Sequence, residues 1–373
     1  MTSRGELLDT SQYTEYRPLM FSIAYRMTGS VSDAEDIVQE AFLRADKASK
    51  AKAKAETKVE PETKAETETE AETEIKVESP KSYLATITTR LAIDHLRSAR
   101  VRRESYIGTW LPEPLIGAEH PGAGAGIATG AGARAGTGRG TATGTLLTGT
   151  AEPDPAELAE TSDSLSMAFL VLLESLAPAE RAVFLLREVF GYDYSEIAGI
   201  TGKTEAACRQ IFARARRRID EGRPRFETSR AEGEELTALF LAAADGGDMT
   251  SLLERLAPDV LFYGDSGGKG EATFIAPLAG RDLVGQILRV QIERTLQLGA
   301  ELTSAWVNGQ PGLLARDPDG GLIAVVAFEM LDGQIQAIRA VANPEKLRHI
   351  GPISHTWHQR WREQQGDDQN DDT

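Results

Sequence analysis

The chain has 373 residues, room for two or three domains, with a formal net charge of −16, 41% hydrophobic residues and one cysteine, Cys208. No apolar run approaches the ~20 residues of a membrane span, charges stand where a signal peptide needs its apolar core, and a lone cysteine excludes an internal disulfide or a cysteine-based metal cluster. A reducing cytoplasm is the expected compartment, with neither metal nor cofactor implied.

Tyr16 to Thr28 predicts a helix stopped by Gly29, and Ser32-Asp33-Ala34-Glu35 reads as a capping box that starts the next one. In that second helix Ala34, Ile37, Val38, Ala41 and Phe42 line the core side, leaving Asp33, Asp36, Gln39, Glu40 and Arg44 outside. Alone, an acidic outer face suits simple solvation. From Lys47 to Glu78 the chain turns to Lys/Ala and then Glu/Thr repeats, a low-complexity insertion with no apolar face to bury. Nine glutamates stand there against three lysines between Glu56 and Glu78, and Asp367, Asp368, Asp371 and Asp372 charge the tail, so the acidity is concentrated in segments that read as disordered.

Pro80 to Arg103 predicts one long helix with two faces. Tyr83, Leu84, Ile87, Leu91, Ala92, Leu96 and Ala99 form an apolar arc, opposite Thr86, Thr89, Arg90, Ile93, Arg97 and Arg100. Lys81, Arg90, Arg97, Arg100, Arg102 and Arg103 stand against Asp94 alone, a local positive field of the kind phosphate backbones attract through counterion release. On residues alone a solvated face fits as well. Trp110-Leu111-Pro112-Glu113-Pro114 follows, and then Gly117 to Thr150, a flexible tether of Gly, Ala and Thr.

A second helical region starts near Asp163 with Leu165, Phe169, Leu172, Leu173 and Leu176, continues from Ala179 to Phe190 behind Pro178, and ends at Gly191. Two more helices then carry helix-turn-helix spacing: one capped by Asp193-Tyr194-Ser195-Glu196, a break from Gly199 to Lys203, and one capped by Thr204 and running to about Asp220. Cys208, Ile211, Phe212, Ala215 and Ile219 mark its buried side. Glu205, Ala206, Arg209, Gln210 and Ala213 point toward a groove and Arg214, Arg216, Arg217 and Arg218 toward phosphates, Arg and Gln being the side chains that pair bidentately with guanine and adenine. An ordinary helical corner is the competing reading of the pattern.

After Glu232 come a helix through Leu236, Leu239, Phe240 and Ala243, a shorter one from Met249 to Leu256, a strand at Val260 to Tyr263, a helix near Leu283 to Thr295, and alternating runs at Leu302 to Val307, Leu322 to Phe328 and Gln334 to Val341, with hairpin turns at Asp319-Gly320-Gly321 and Asp332-Gly333. Helices followed by antiparallel strands describe an α+β cone. Of its polar candidates, Asp265, Lys269, Arg281 and Arg339, none makes a persuasive acid–base dyad, and His349, His355 and His358 fall beyond the sheet.

Several of these stretches resemble one family. Asp33 to Ala45 is very similar to the segment of bacterial extracytoplasmic-function (ECF) sigma factors that docks on the clamp helices of core RNA polymerase. Pro80 to Arg103 resembles their promoter-melting segment, and residues 161–225 their −35-reading domain. Trp110 to Pro114 resembles the linker motif of the subgroup with a fused SnoaL-like domain, Asp265-Ser266-Gly267-Gly268-Lys269 its Asp-Gly-Gly-Gly-Lys motif, and Asn343-Pro344-Glu345-Lys346-Leu347 its Asn-Pro-Asp-Lys-Leu motif.

The resemblance implies a multidomain chain: a helical domain at 10–109 holding the insertion 47–78, a linker and tether at 110–160, a helix-turn-helix domain at 161–225, an NTF2-like α+β cone at 232–348, and a tail at 349–373. It also implies roles. Asp33, Asp36, Gln39, Glu40 and Arg44 would meet core RNA polymerase, whose clamp helices and flap are the expected partners. Tyr83, Thr86, Arg90, Arg97, Arg100, Arg102 and Arg103 would engage the −10 element, and Glu205, Ala206, Arg209, Gln210, Ala213, Arg214 and Arg217 the −35 element of promoter DNA. The three motifs, Trp110, Leu111, Pro112, Glu113 and Pro114, Asp265 and Lys269, and Asn343, Pro344, Lys346 and Leu347, would serve regulation. A DNA-tethered isomerase or cyclase and a one-component repressor are the alternatives, and a small-molecule ligand of the cone is left open.

Overall fold

The computed structural model describes residues 10–56, 80–104, 106–117, 165–222, 229–245, 249–268 and 276–354. Most of the expected insertion and tether, Lys269, His355, His358 and the acidic tail lie outside them, as do the side chains of Arg100, Arg102 and Arg103. The chain divides into two compact units, residues 1–113 with 164–225, and residues 114–163 with 226–373.

The first unit is helical. Helix α1 (Thr10–Thr28) ends at Gly29, whose φ of +67° is a left-handed conformation that favours glycine. Helix α2 runs Val31–Glu56 and α3 Pro80–Glu104. They bury Met20, Tyr25, Ile37, Val38, Leu84 and Ala92, each large apolar side chain contributing ~1.5–3 kcal/mol of transfer free energy. Arg17 of α1 clasps Glu35 of α2 at 2.6 and 2.7 Å.

Here the expected capping box is corrected. The cap of α2 is Ser30, whose Oγ accepts from Asp33 N at 3.1 Å, and Glu35, turned to Arg17, does not reach back. Its place is taken by the Glu113 carboxylate, a partner local spacing cannot reveal.

Helices α4 (Met167–Leu173), α5 (Pro178–Glu188), α6 (Tyr194–Thr201) and α7 (Glu205–Gly222) complete the unit. Ser166 caps α4 through Phe169 N, Glu196 accepts from Asp193 N at 2.8 Å, and Gly202 at φ +67° ends α6, so α6 and α7 form the expected helix-turn-helix. The Ala207 amide donates to Thr204 Oγ1 at 3.2 Å. Cys208, Ile211, Ala215 and Ile219 are buried. Phe212, expected with them, is half-buried and stacks on Phe184 with centroids 6.0 Å apart.

The second unit is α+β. Its sheet has the order β1-β4-β5-β6-β7-β2-β3, built from Ile116–Gly117, Leu256–Asp265 (β2), Leu278–Ala279 (β3), Glu301–Val307 (β4), Gln310–Arg316 (β5), Leu322–Leu331 (β6) and Gln334–Val341 (β7), with β1 being the first. Among the described strands the β2–β7 pair is parallel and the other pairs are antiparallel.

Strand β5 escapes the alternation rule because it begins Gln310-Pro311-Gly312. The signal that marks it is Asn308-Gly309, whose φ values of +51° and +73° make the two-residue turn from β4 into β5. Gly312 is required there, since a Cβ would lie 2.2 Å from the Val326 carbonyl.

Helices α8 (Arg230–Ala244), α9 (Met249–Glu254) and α10 (Arg281–Gln297) cover one face of this sheet, and α11 (Pro344–Leu347) follows β7. Phe240 of α8 stacks on Phe328 of β6 at 4.3 Å, and Leu252, Val284, Leu288, Leu313 and Ile338 fill the same core. These side chains form the core between the helices and the sheet.

Candidate functional site

On α2, Asp36, Gln39, Glu40 and Arg44 are exposed, together with Leu43 at 44% relative exposure. Glu40 pairs with Arg44 one turn on at 2.7 Å, a surface pair that contributes little to stability. Asp33, half-buried, faces His95 of α3 at 3.1 Å. The helix therefore presents charge around one exposed leucine, on a backbone fixed by the core behind it.

The two-faced reading of α3 is corrected. Thr86 and Thr89, assigned to the outer arc, are 3% and 1% exposed, and Ile93 is buried as well. The Thr86 hydroxyl donates to its own helix at Ser82 O, 2.7 Å away. The cause is packing on more than one side, because α1 and α2 meet α3 along one flank while α5 and α6 also touch it. A period-based wheel assumes one packed face. Arg97 does stay exposed, beside Asp94 at 3.2 Å, and Tyr83 is half-buried.

Arg90 has a partner that spacing does not suggest. Its Nε donates to Ile200 O at 2.9 Å and its Nη2 to Gly199 O at 3.0 Å, near the C-terminal end of α6 where free carbonyls and the helix dipole favour a cation. Arg181 of α5 makes a second tie, donating to Met27 O in α1 and pairing with Glu174 at 2.9 Å. Arg90 thus ties α3 to α6, and Arg181 ties α5 to α1.

On α7, Glu205, Ala206, Arg209, Gln210, Ala213, Arg214 and Arg217 are all exposed. Arg209 lies 2.8 Å from Glu205 and 5.0 Å over the Tyr194 ring, which Arg187 approaches from 4.9 Å. Tyr194 thus sets the direction of Arg209. Burial, with the charge of Glu196 adding, pushes the Tyr192 phenol well above its usual range, so it stays neutral beside this surface.

The Trp110 to Pro114 motif is largely buried. Leu111 is fully buried, Pro112 and Pro114 are buried, and Trp110 leans on Gly29 so closely that a Cβ there would be 2.7 Å from its ring. Glu113 binds the corner between α1 and α2 by its main chain and its carboxylate, through Gly29 O at 2.8 Å, Tyr25 Oη at 2.7 Å, and four donors on Ser30, Val31 and Ser32.

The other two motifs form one knot in the second unit. Lys346 Nζ meets Asp265 Oδ2 at 2.6 Å, with the side chains 9% and 0% exposed. Asp265 O accepts from both Ala342 N and Asn343 N, and Asn343 Oδ1 caps α11 through Glu345 N. Gly267, at φ +61°, packs so tightly on Asn343 that a Cβ would sit 2.3 Å from Nδ2. Leu347 is fully buried and Pro344 half-buried. The Lys346 side chain thereby brings the second motif onto the first, while Lys269 lies outside the described residues.

Nearby, Arg339 pairs with Glu329 at 2.6 and 3.2 Å and lies 4.2 Å over Tyr263, while Arg281 donates to Leu256 O. Strand alternation puts Arg339 and Glu329 on the face opposite Ile338 and Phe328. Among the described residues no group of His, Cys, Asp and Glu could hold a metal, and no helix is long and apolar enough to cross a membrane.

Two family models match this chain, Sigma-70 region 2 at residues 12–57 and Sigma-70 region 4 at residues 166–219. It is 31% identical over 352 residues to the ECF RNA polymerase sigma factor SigJ of Mycobacterium tuberculosis H37Rv, covering 91% of this chain and 93% of that protein. It is 29% identical over 338 residues to the probable ECF RNA polymerase sigma factor SigI of the same species, covering 91% and 94%. The crystal structure of M. tuberculosis SigJ superposes with a TM-score of 0.59 at 29% identity, over 93% of this chain and 100% of that one.

Proposed function

The chain belongs to the ECF RNA polymerase sigma factors, and on that premise we propose how its parts divide the work. It directs RNA polymerase to promoters, with the NTF2-like C-terminal domain as a fused regulator; its work on polymerase and promoter DNA belongs to the cytoplasm. The exposed face of α2, through Asp36, Gln39, Glu40 and Arg44, docks on the clamp helices of core polymerase, and Asp33 supports that face from the first turn. The exposed face of α7 reads the −35 element, with Glu205, Ala206, Arg209, Gln210 and Ala213 at base edges and Arg214 and Arg217 at phosphates. Tyr83, Arg90, Arg97 and the basic end of α3 serve the −10 element.

The observation that carries this reading is α2. Its docking residues are solvent-facing around Leu43, while Ala34, Ile37, Val38 and Ala41 are buried behind them. Neither a repressor nor an enzyme needs that face.

Arg90 adds a condition. Its guanidinium cannot serve DNA while it holds the Gly199 and Ile200 carbonyls, so engaging both promoter elements requires α3 and α6 to part.

The test is copurification of the full chain with core polymerase, for the native protein and for Asp36→Arg with Glu40→Arg. Loss of binding with an unchanged unfolding temperature is expected. Undiminished binding would show that the face is only a solvated one.

A further inference from the structure

The first turn of α2 has N–H groups that no intrahelical carbonyl can reach. Glu113 supplies their acceptor from beyond the insertion and α3: Oε2 lies 2.7 Å from Val31 N and 3.2 Å from Ser32 N, and Oε1 lies 2.8 Å from Ser30 Oγ and 3.2 Å from Ser32 Oγ. A carboxylate here is favoured by both charge-assisted bonding and the helix dipole. The residue is 8% exposed, and this turn carries Asp33, two residues on from Val31.

One peptide bond further, the chain is held by the second unit. His349 Nε2–H donates to Pro114 O at 2.8 Å, Leu115 N donates to Asn308 Oδ1 at 2.9 Å, and Asn308 N donates to Leu115 O at 2.8 Å. Ile116 and Gly117 then pair with Val307 and Trp306 as β1 on β4. The cap of the docking helix and the anchor of the C-terminal domain are consecutive residues.

We propose that Glu113 is a positioning residue: its carboxylate sets the first turn of α2, and it transmits the C-terminal domain's hold on Pro114 and Leu115 to polymerase affinity. The inference rests on the reading of α2 as the polymerase-docking helix. A pull on Pro114 acts directly on the backbone of Glu113, whose N–H holds Gly29 O and whose O holds Tyr25 Oη, so the C-terminal domain needs no contact with polymerase to influence docking.

The test uses the full chain with three substitutions. Glu113→Gln keeps the shape and removes the charge, Glu113→Ala removes the cap, and Asn308→Gly removes the Leu115 acceptor at a position whose φ of +51° glycine tolerates. Hydrogen exchange of the Val31 and Ser32 amides and affinity for core polymerase are measured for each. Glu113→Gln should speed exchange at those amides and weaken polymerase binding by about fivefold to twentyfold. Asn308→Gly should change exchange at the same two amides in the native background and add less than about twofold beside Glu113→Ala, the non-additivity of residues acting in series.

Unchanged exchange and affinity in Glu113→Gln would overturn the positioning role, and equal effects of Asn308→Gly in both backgrounds would overturn the transmission. The docking premise fails separately, by Asp36→Arg with Glu40→Arg leaving affinity intact, and the exchange measurement judges the cap and its coupling even then.

Discussion

Replacing Lys346 with methionine removes the cation from a carboxylate that has almost no access to water. The Asp265 and Lys346 side chains are 0% and 9% exposed and meet at 2.6 Å. Forming such a pair need not stabilise a fold on balance, because desolvation opposes the attraction, but removing one partner leaves the other charge stranded at a cost of about 3–5 kcal/mol. Asp265 keeps the bond that Gly267 N donates to Oδ1 at 3.1 Å, which places the expectation toward the lower end of that range. For a domain of this size that corresponds to a fall of about 6–15 °C in the unfolding temperature of the second unit. The loss should depend little on salt, since the pair is shielded from solvent.

Hydrogen exchange of β2 and β7 amides isolates the unit's own transition from that of the helical unit. Asp265→Asn combined with Lys346→Met should recover at least about 2 kcal/mol over the sum of the single changes. A cost below about 1 kcal/mol for Lys346→Met, or strict additivity, would refute the claim that the two motifs form one buried knot.

Arg209→Ala should weaken promoter binding by about 1–3 kcal/mol at one base-pair position, whereas Arg217→Ala should weaken all sequences alike and reduce the salt dependence; a randomised-promoter selection separates them. An unchanged −35 preference in Arg209→Ala would misplace α7. Arg90→Ala should loosen the packing of α3 against α6 by about 1–2 kcal/mol, seen as faster exchange of the Lys203 amide, which donates to Ala198 O at 3.1 Å. Protection unchanged in that variant would show that the latch is not maintained in solution.

Helix existence and order were legible in the chain because α1 to α3 and α4 to α7 carry clear apolar repeats and local stop signals such as Gly29 and Gly191. The outer residues of α2 and α7 followed from the same periodicity. What escaped was set by distance. Glu113 caps a helix more than eighty residues upstream, Lys346 answers Asp265 from 81 residues further along the chain, and Arg90 finds the end of α6, none of which leaves a mark in spacing. Thr86 and Thr89 were misplaced for a related reason, since a helix packed on several sides has no polar arc for a wheel to find. Strand β5 hid behind Pro311 and Gly312, although Asn308-Gly309 announced its turn. The family resemblance supplied the partner, which no residue pattern alone names.

The central claim, that this chain confers promoter choice on RNA polymerase, is tested most directly by mixing the purified full-length protein with core polymerase and mapping transcript starts on genomic DNA in vitro. The account predicts new starts that share a −35 and a −10 element, absent with core polymerase alone and lost with Asp36→Arg and Glu40→Arg. Starts identical to those of core polymerase alone, with footprints formed by the protein in the absence of polymerase, would contradict it.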